Sequence, residues 1–386
     1  MGPIPQKVEA ADRYTGRSMR SGDLILVLLV AMLGTGIVAI QSAGLSVTDD
    51  LSLWGTMTNR VVLLAAGAMI AFFAGALVPP NLLARRWVAW TAVSVALILA
   101  IIVLIPGIGR EVNGARRWLD IGPLGFQPSE VAKWALVIFM AAACSWWARS
   151  LGRFWTLTGL LGVVGLLAGL VLLEDLGTAV LMIAVASAMV LAAGAKLWQL
   201  GLLAVPALAI VVGGIAIEPY RIQRLQAFLD PFADPAGSGY HVVQSMAAIA
   251  GGGTSGRGIG NGIQKYGYLP EDTTDFIFAI ICEEAGTAGA VLIVALFASL
   301  LIVGWTILRS TTVAHQRLLV LGVLLTIGIQ ALVNLLVVTG LAPTKGIALP
   351  LISSGGTGWL LTAFALGWIR SVDRRAPAAV LPPVPA

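Results

Sequence analysis

Apolar residues in this chain gather into runs of roughly twenty, long enough to cross a bilayer as helices, with polar residues confined to the intervals. The runs fall at about 24–43, 61–78, 87–106, 131–148, 156–173, 178–195, 197–217, 276–308, 318–339 and 349–369, and predict ten spans. The first is too long for the core of a cleavable signal peptide and reads as an uncleaved span behind a polar, basic tail, residues 1–22. Two polar intervals are longer than the rest, about 107–130 and 218–274. In the second, Ile222, Leu225, Phe228 and Leu229 recur at helical spacing and predict a short helix lying along the interface. The Pro- and Ala-rich end, 376–386, predicts a disordered tail. The expected fold class is an all-α polytopic membrane protein of about ten transmembrane helices, with a large extracytoplasmic loop between spans 7 and 8. Its divisions are a cytoplasmic tail (1–22), a transmembrane domain (23–372) and a cytoplasmic tail (373–386).

Composition agrees: 58% of residues are hydrophobic and mean hydropathy is +0.92, beyond what a soluble domain carries. The net charge of +5 raises the question of nucleic acid, but the basic residues stand singly between apolar runs, without a basic stripe. Charge reports topology instead. With the N-terminus inside, Lys7, Arg13, Arg17, Arg20, Arg85, Arg86, Arg149, Arg153, Lys196, Arg309, Arg317, Arg370, Arg374 and Arg375 share the cytoplasmic side, while most acids fall on the other. Both termini are then cytoplasmic and both long loops lie outside. Cys144 and Cys282 sit inside apolar runs and predict free, buried thiols. His241 and His315 are far apart with no Cys or His beside them, which argues against a dedicated zinc site.

The candidate chemistry is concentrated where the second long loop enters a span, in Tyr268-Leu269-Pro270-Glu271-Asp272-Thr273-Thr274-Asp275-Phe276 and the run ending Cys282-Glu283-Glu284. Asp275 marks the change from polar loop to apolar run, so its carboxylate is expected at a membrane edge. Glu283 follows about 12 Å deeper and about 80° around the helix axis. Ionisable groups at such depth are functional candidates unless hydrogen bonds make them packing elements, and both readings stand for Glu283 and Glu284. In the first long loop, Arg116 and Arg117 are suited to grip phosphate oxygens or to anchor the interface beside Trp118. Ser129 after Pro128 predicts an N-cap, and Glu130 and Lys133 are spaced to pair on the first turns of the next span. The glycine-rich run from Gly251 to Gly262 fits neither a P-loop nor a dinucleotide fingerprint. It predicts backbone approaching a ligand, or re-entering the membrane edge, with Arg257 and Lys265 adding positive charge. Gln330 and Asn334 sit inside a span, and Lys345 and Ser353 occupy a Pro- and Gly-broken entrance to the last one.

Taken together, these outer motifs resemble the SEDS family (shape, elongation, division and sporulation), whose members FtsW and RodA polymerise the peptidoglycan precursor lipid II. The resemblance covers about residues 20–375. It is carried by Gly114-Ala115-Arg116-Arg117-Trp118, Gln127-Pro128-Ser129-Glu130 with Lys133, Asp175-Leu176-Gly177-Thr178-Ala179, Gly239-Tyr240 with Gln244-Ser245, Pro270-Glu271 with Thr274-Asp275-Phe276-Ile277-Phe278, and Pro343-Thr344-Lys345-Gly346 with Pro350. Gln264-Lys265-Tyr266 and Lys345 look more like the division member FtsW. The chain departs from the family pattern at Thr273, usually His, at Ser354, usually Tyr, and at Leu173-Glu174, usually Gln-Pro.

The resemblance implies an inverting glycosyltransferase acting on lipid II and the growing glycan strand at the outer face of the inner, cytoplasmic membrane. Asp275 would be the general base and undecaprenyl pyrophosphate the leaving group. Substrate-binding roles are expected for Arg116, Arg117, Glu130, Lys133, Arg257, Lys265, Glu271, Lys345 and Ser353. A divalent cation, Mg²⁺ or Mn²⁺, held by a carboxylate and substrate phosphates would leave no stronger mark in the sequence. The implied partners are a class B penicillin-binding protein and other divisome or elongasome proteins, with no nucleic acid. Two alternatives remain open at this level: a lipid II flippase using Asp275, Glu283 and Glu284 as a relay, and a scaffold for a partner polymerase.

Overall fold

The computed structural model describes residues 20–44, 60–112, 115–121, 124–201 and 219–375, with a few positions between 204 and 213. Among these residues seven helices are long and apolar enough to cross a membrane: α1 (Ser21–Gly44), α2 (Arg60–Leu77), α3 (Arg86–Leu104), α4 (Pro128–Trp146), α5 (Phe154–Glu174), α9 (Ile277–Ser310) and α10 (Ala314–Val338). The shorter apolar helix α6 (Leu176–Ala192) follows α5 after one residue. Between them lie α7 (Pro219–Leu229), the short helix expected from Ile222, Leu225, Phe228 and Leu229, and α8 (Tyr240–Gly252); α11 (Thr357–Arg375) is the last described helix. The span expected at 197–217 and the tails 1–19 and 376–386 lie largely or wholly outside the described residues.

Two expectations are corrected. The last helix begins at Thr357 and not at 349, because the residues before it, Thr344 to Gly356, form an irregular strap with Leu351 at φ 63°. Within this mostly helical fold the first long loop adds a small antiparallel sheet, β1 (Gly109–Val112), β2 (Ala115–Ile121) and β3 (Leu124–Phe126). Hydrophobic pattern alone misses such a sheet, since strands of three to seven residues carry too little periodicity beside Arg116-Arg117-Trp118. The second correction is that Ser129 is not a cap. Gln127 holds that position with Pro128 at the first helical turn, where its missing N–H costs nothing.

Helix α4 is the most buried of the seven spanning helices and packs against α3, α6 and α10. Helix α1 lies on α9 and α11, and α2 crosses α11 closely. That crossing is made by small residues: Gly75 meets the backbone of Phe364, and Gly367 meets that of Phe72 and Ala76. One end of the bundle is fastened by polar ties. Arg370 pairs with Asp23 at 2.8 Å, the Gly22 N–H donates to Asp373 at 3.0 Å, and Ser371 donates to Val78 O at 2.6 Å. Both described termini therefore sit at this end. The sheet, the strap, the start of α6 and the start of α9 gather at the other.

Candidate active site

At that second end a cavity of about 630 Å³ opens between the sheet, the strap and the helix starts. Its wall is built from separate parts of the chain. Asp275 comes from the turn before α9, and Glu271 and Thr274 from the same turn, which is bent by a left-handed Glu271 at φ 57°. Asp175 and Thr178 come from the start of α6, Glu130 from the first turn of α4, Gln330 from α10, and Ser353 and Ser354 from the strap. Three guanidiniums face it: Arg117 and Arg110 from the sheet, and Arg60 from the start of α2.

Local chemistry explains the placements. Asp175 caps α6, accepting from the Thr178 N–H at 3.0 Å and the Thr178 hydroxyl at 2.7 Å, so the Asp-Leu-Gly-Thr motif is a helix start turned to the cavity. Arg117 is held by its Nε on Glu174 O at 2.6 Å, while the backbone N–H of Arg116 donates to Glu174 Oε2 at 2.6 Å. Glu174, one of the departures from the family pattern, thus anchors the arginine hairpin at the end of α5. Two other departures also meet, since the Ser354 N–H donates to Thr273 O at 2.8 Å. Glycine at 346 lets the strap backbone reach the acid: a Cβ there would lie 3.0 Å from Asp275 Oδ2 and 3.6 Å from Arg117 Nη1. Burial pushes the Asp275 carboxyl up to about 7, with Glu271 and Asp175 adding to the rise and Arg117 and Arg224 opposing it. Behind the acid, His241 stacks on Phe276 with ring centroids 5.8 Å apart. Desolvation, then Arg224, lowers its pKa, against the opposing pull of Glu271.

Of the residues singled out in the sequence, Asp275, Arg117, Glu130, Glu271 and Ser353 share this cavity wall. Lys133 is buried just behind it, 2.7 Å from Glu130 and donating to Gln330 Oε1 at 2.7 Å. Lys345 is half-buried in the strap outside the lining. Arg116 turns to Glu111 at 3.5 Å and is absent from the lining.

Arg257 and Lys265 go elsewhere. The glycine-rich run folds back on α9, where Gly286 (φ 62°, ψ −153°) breaks the helix and frees carbonyls that accept from the N–H groups of Arg257 and Gly258. Arg257 lies 3.5 Å from Glu283, which also accepts from the N–H groups of Ile263 and Gln264. Glu284 accepts from Ser42, the Gly262 N–H and Lys265. Both deep glutamates are therefore saturated by this loop and by α1, apart from the cavity that holds Asp275. Arg60, Arg110, Asp175 and Thr178 line the cavity without having been singled out as site residues. Asp175 and Thr178 both belong to the Asp-Leu-Gly-Thr motif, whose helix-capping pattern is the signal the sequence offers for them.

The fold and site define a multi-pass helical membrane protein with several carboxylates and three guanidiniums lining a polar cavity at one end of the bundle, among them the Asp275 carboxyl raised to about 7. A family profile for FtsW, RodA and SpoVE, described as cell cycle protein, matches residues 23–377. The chain belongs to that family. It is 38% identical over 378 residues to a probable peptidoglycan glycosyltransferase FtsW of Nitrosococcus halophilus, covering 93% of this chain and 94% of that one. It is 35% identical to stage V sporulation protein E of Bacillus subtilis, covering 92% and 97%. Among solved structures it is similar to a chain of a peptidoglycan synthase complex that coordinates polymerization and crosslinking, with TM-score 0.74, 28% identity and coverage of 91% and 96%. It is also similar to the rod shape determining protein RodA of Thermus thermophilus, with TM-score 0.65, 26% identity and coverage of 92% and 96%.

Proposed function

We propose that this chain is a peptidoglycan glycosyltransferase that polymerises lipid II at the outer face of the cytoplasmic membrane, with both termini inside. The observation that carries the reading is the Asp275 carboxyl in the cavity wall, raised to about 7 and faced by Arg117. As a general base it would accept the proton of an acceptor sugar hydroxyl as that oxygen bonds to the donor's anomeric carbon. The bond from that carbon to the pyrophosphate oxygen breaks in the same displacement, inverting the centre and releasing undecaprenyl pyrophosphate. A group with a pKa near the working pH is suited to this step, since it is ionised before the transfer and holds the proton afterwards.

Arg117, Arg110 and Arg60 supply positive charge in the cavity for the leaving pyrophosphate. The polyprenyl chain fits an apolar groove of about 690 Å³ along α5 and α6, whose Leu172 and Val180 lie within a turn of Asp175 and Thr178. Among the described residues no group of three or more His, Cys, Asp or Glu could hold a metal alone. A divalent cation, Mg²⁺ or Mn²⁺, would be held by a cavity carboxylate other than the base, such as Glu271 or Asp175, together with phosphate oxygens, and would neutralise charge on the leaving group. The similar synthase complex supports a crosslinking partner, a class B penicillin-binding protein, within a division or elongation assembly.

The test is glycan-strand synthesis from purified lipid II in liposomes, with and without the partner, comparing wild type with Asp275→Ala. Polymer from wild type and none from a folded variant supports the reading. Equal polymer from both removes Asp275 as base, and lipid II crossing the bilayer without polymer points to transport.

A further inference from the structure

We propose that Asn334 is a positioning residue for Asp275, with Gln330 one turn earlier on α10 completing a clamp on the strap. The proposal rests on the glycosyl-transfer reading for its activity arm only. Asn334 is 1% exposed, in the middle of an apolar helix, where an amide without a task would cost free energy. Its Nδ2 donates two hydrogen bonds, each of 2.7 Å: one to Asp275 O, the acid's own backbone carbonyl, the other to Ile347 O in the strap. Both donors are therefore used on segments about seventy residues apart in sequence. The orientation of the amide follows from this, because a flip would turn Oδ1 against two carbonyls. Oδ1 itself is buried without a partner, so the geometry serves the two donations.

Gln330 repeats the pattern. Its Nε2 donates to Ala348 O at 2.9 Å, the carbonyl next along the strap, and its Oε1 accepts from Lys133. Residues 330 and 334 lie on one face of α10 and so grip consecutive strap carbonyls. The strap passes close to the acid, where a Cβ on Gly346 would lie 3.0 Å from Asp275 Oδ2. On its far side the Ser354 N–H holds Thr273 O, so the turn bearing Asp275 is stitched to the strap at two points. Removing Asn334 leaves two carbonyls without a buried donor and lets turn and strap move apart. The carboxylate then loses its alignment on the acceptor hydroxyl while the arginines that bind pyrophosphate stay in place.

The experiment uses the full chain with its partner in nanodiscs and compares wild type, Asn334→Leu and Asn334→Gln. Hydrogen exchange over 271–276 and 344–350 reads the clamp directly, whatever reaction the cavity performs. The expected result is faster exchange in both segments for Asn334→Leu, with partial return in Asn334→Gln, which keeps the donor on a longer arm. Lipid II binding capacity and the polymerisation rate per bound lipid II then read positioning. The rate per bound lipid should fall by on the order of tenfold to a hundredfold in Asn334→Leu with binding affinity unchanged, as for a displaced catalytic group. A merely structural role would lower binding capacity and leave the rate per bound lipid at the wild-type value, which overturns the proposal. Unchanged exchange in both segments overturns it as well. If wild type polymerises nothing while the two segments still loosen in Asn334→Leu, the glycosyltransferase reading falls and the clamp stands.

Discussion

At the scale of single residues, the acid sets the clearest expectations. Asp275 must be ionised to accept a proton, and its pKa is raised to about 7, so activity should be lost as pH falls through that value and be full above it. A pH profile of strand synthesis under saturating lipid II measures this; a profile flat down to the ordinary carboxylate range would contradict it. Arg117 both lowers that pKa and faces the cavity. In Arg117→Gln the acidic limb should therefore move to higher pH, and the plateau should drop by about a hundredfold through lost stabilisation of the leaving group. Why this pair and not Arg116 or Arg257 serves the cavity is a matter of neighbours. Arg116 and Arg117 are equivalent by composition, yet Glu111 engages the first side chain and the end of α5 the second.

At the scale of elements, the break in α9 separates a conformational glycine from a permissive one. Gly286 has φ 62°, and a Cβ there would enter the Gly256 and Thr254 backbone, whereas one at Gly162 in α5 meets nothing within 4 Å. Gly286→Ala should destabilise the protein by about 1–3 kcal/mol and loosen the loop 253–268 from Glu283 and Glu284. Gly162→Ala should leave the melting temperature unchanged or raised, as helix propensity favours alanine by up to about 1 kcal/mol. Thermal unfolding followed by intrinsic fluorescence, run on both variants in one detergent, compares them. The break also explains why the glycine-rich run was ambiguous in sequence. Its glycines are needed where its backbone meets Cys282, Glu284 and Ala285, a contact between segments that local pattern does not encode.

At the scale of the whole molecule, the polar ties at Asp23, Arg370 and Asp373 lie at the end opposite the cavity. A cysteine at exposed Ala236, in the loop between α7 and α8, should react with a membrane-impermeant maleimide in intact spheroplasts, and one at exposed Arg149 only after permeabilisation. The native Cys144 and Cys282 are buried and should stay silent. Reversed labelling would invert the topology drawn from the basic residues.

Hydrophobic length by itself determined α1 to α5, α9 and α10 as spanning helices, because an apolar run of about twenty residues has few places to go but a bilayer. The abrupt polarity change at Asp275 and the short motifs also marked the acid and its turn, since an ionisable group at such a boundary is costly without a task. Only the tertiary structure decided which charges share the cavity. Arg60, Arg110 and Asp175 join Asp275 there, while Lys265 and Arg257 are spent on the two deep glutamates. The physical reason is that helices placed by hydrophobic pattern can still pack in many rotations and orders. Close contacts at small residues such as Gly75, Gly346 and Gly367 select one of them, and the charges follow the backbone that those contacts allow.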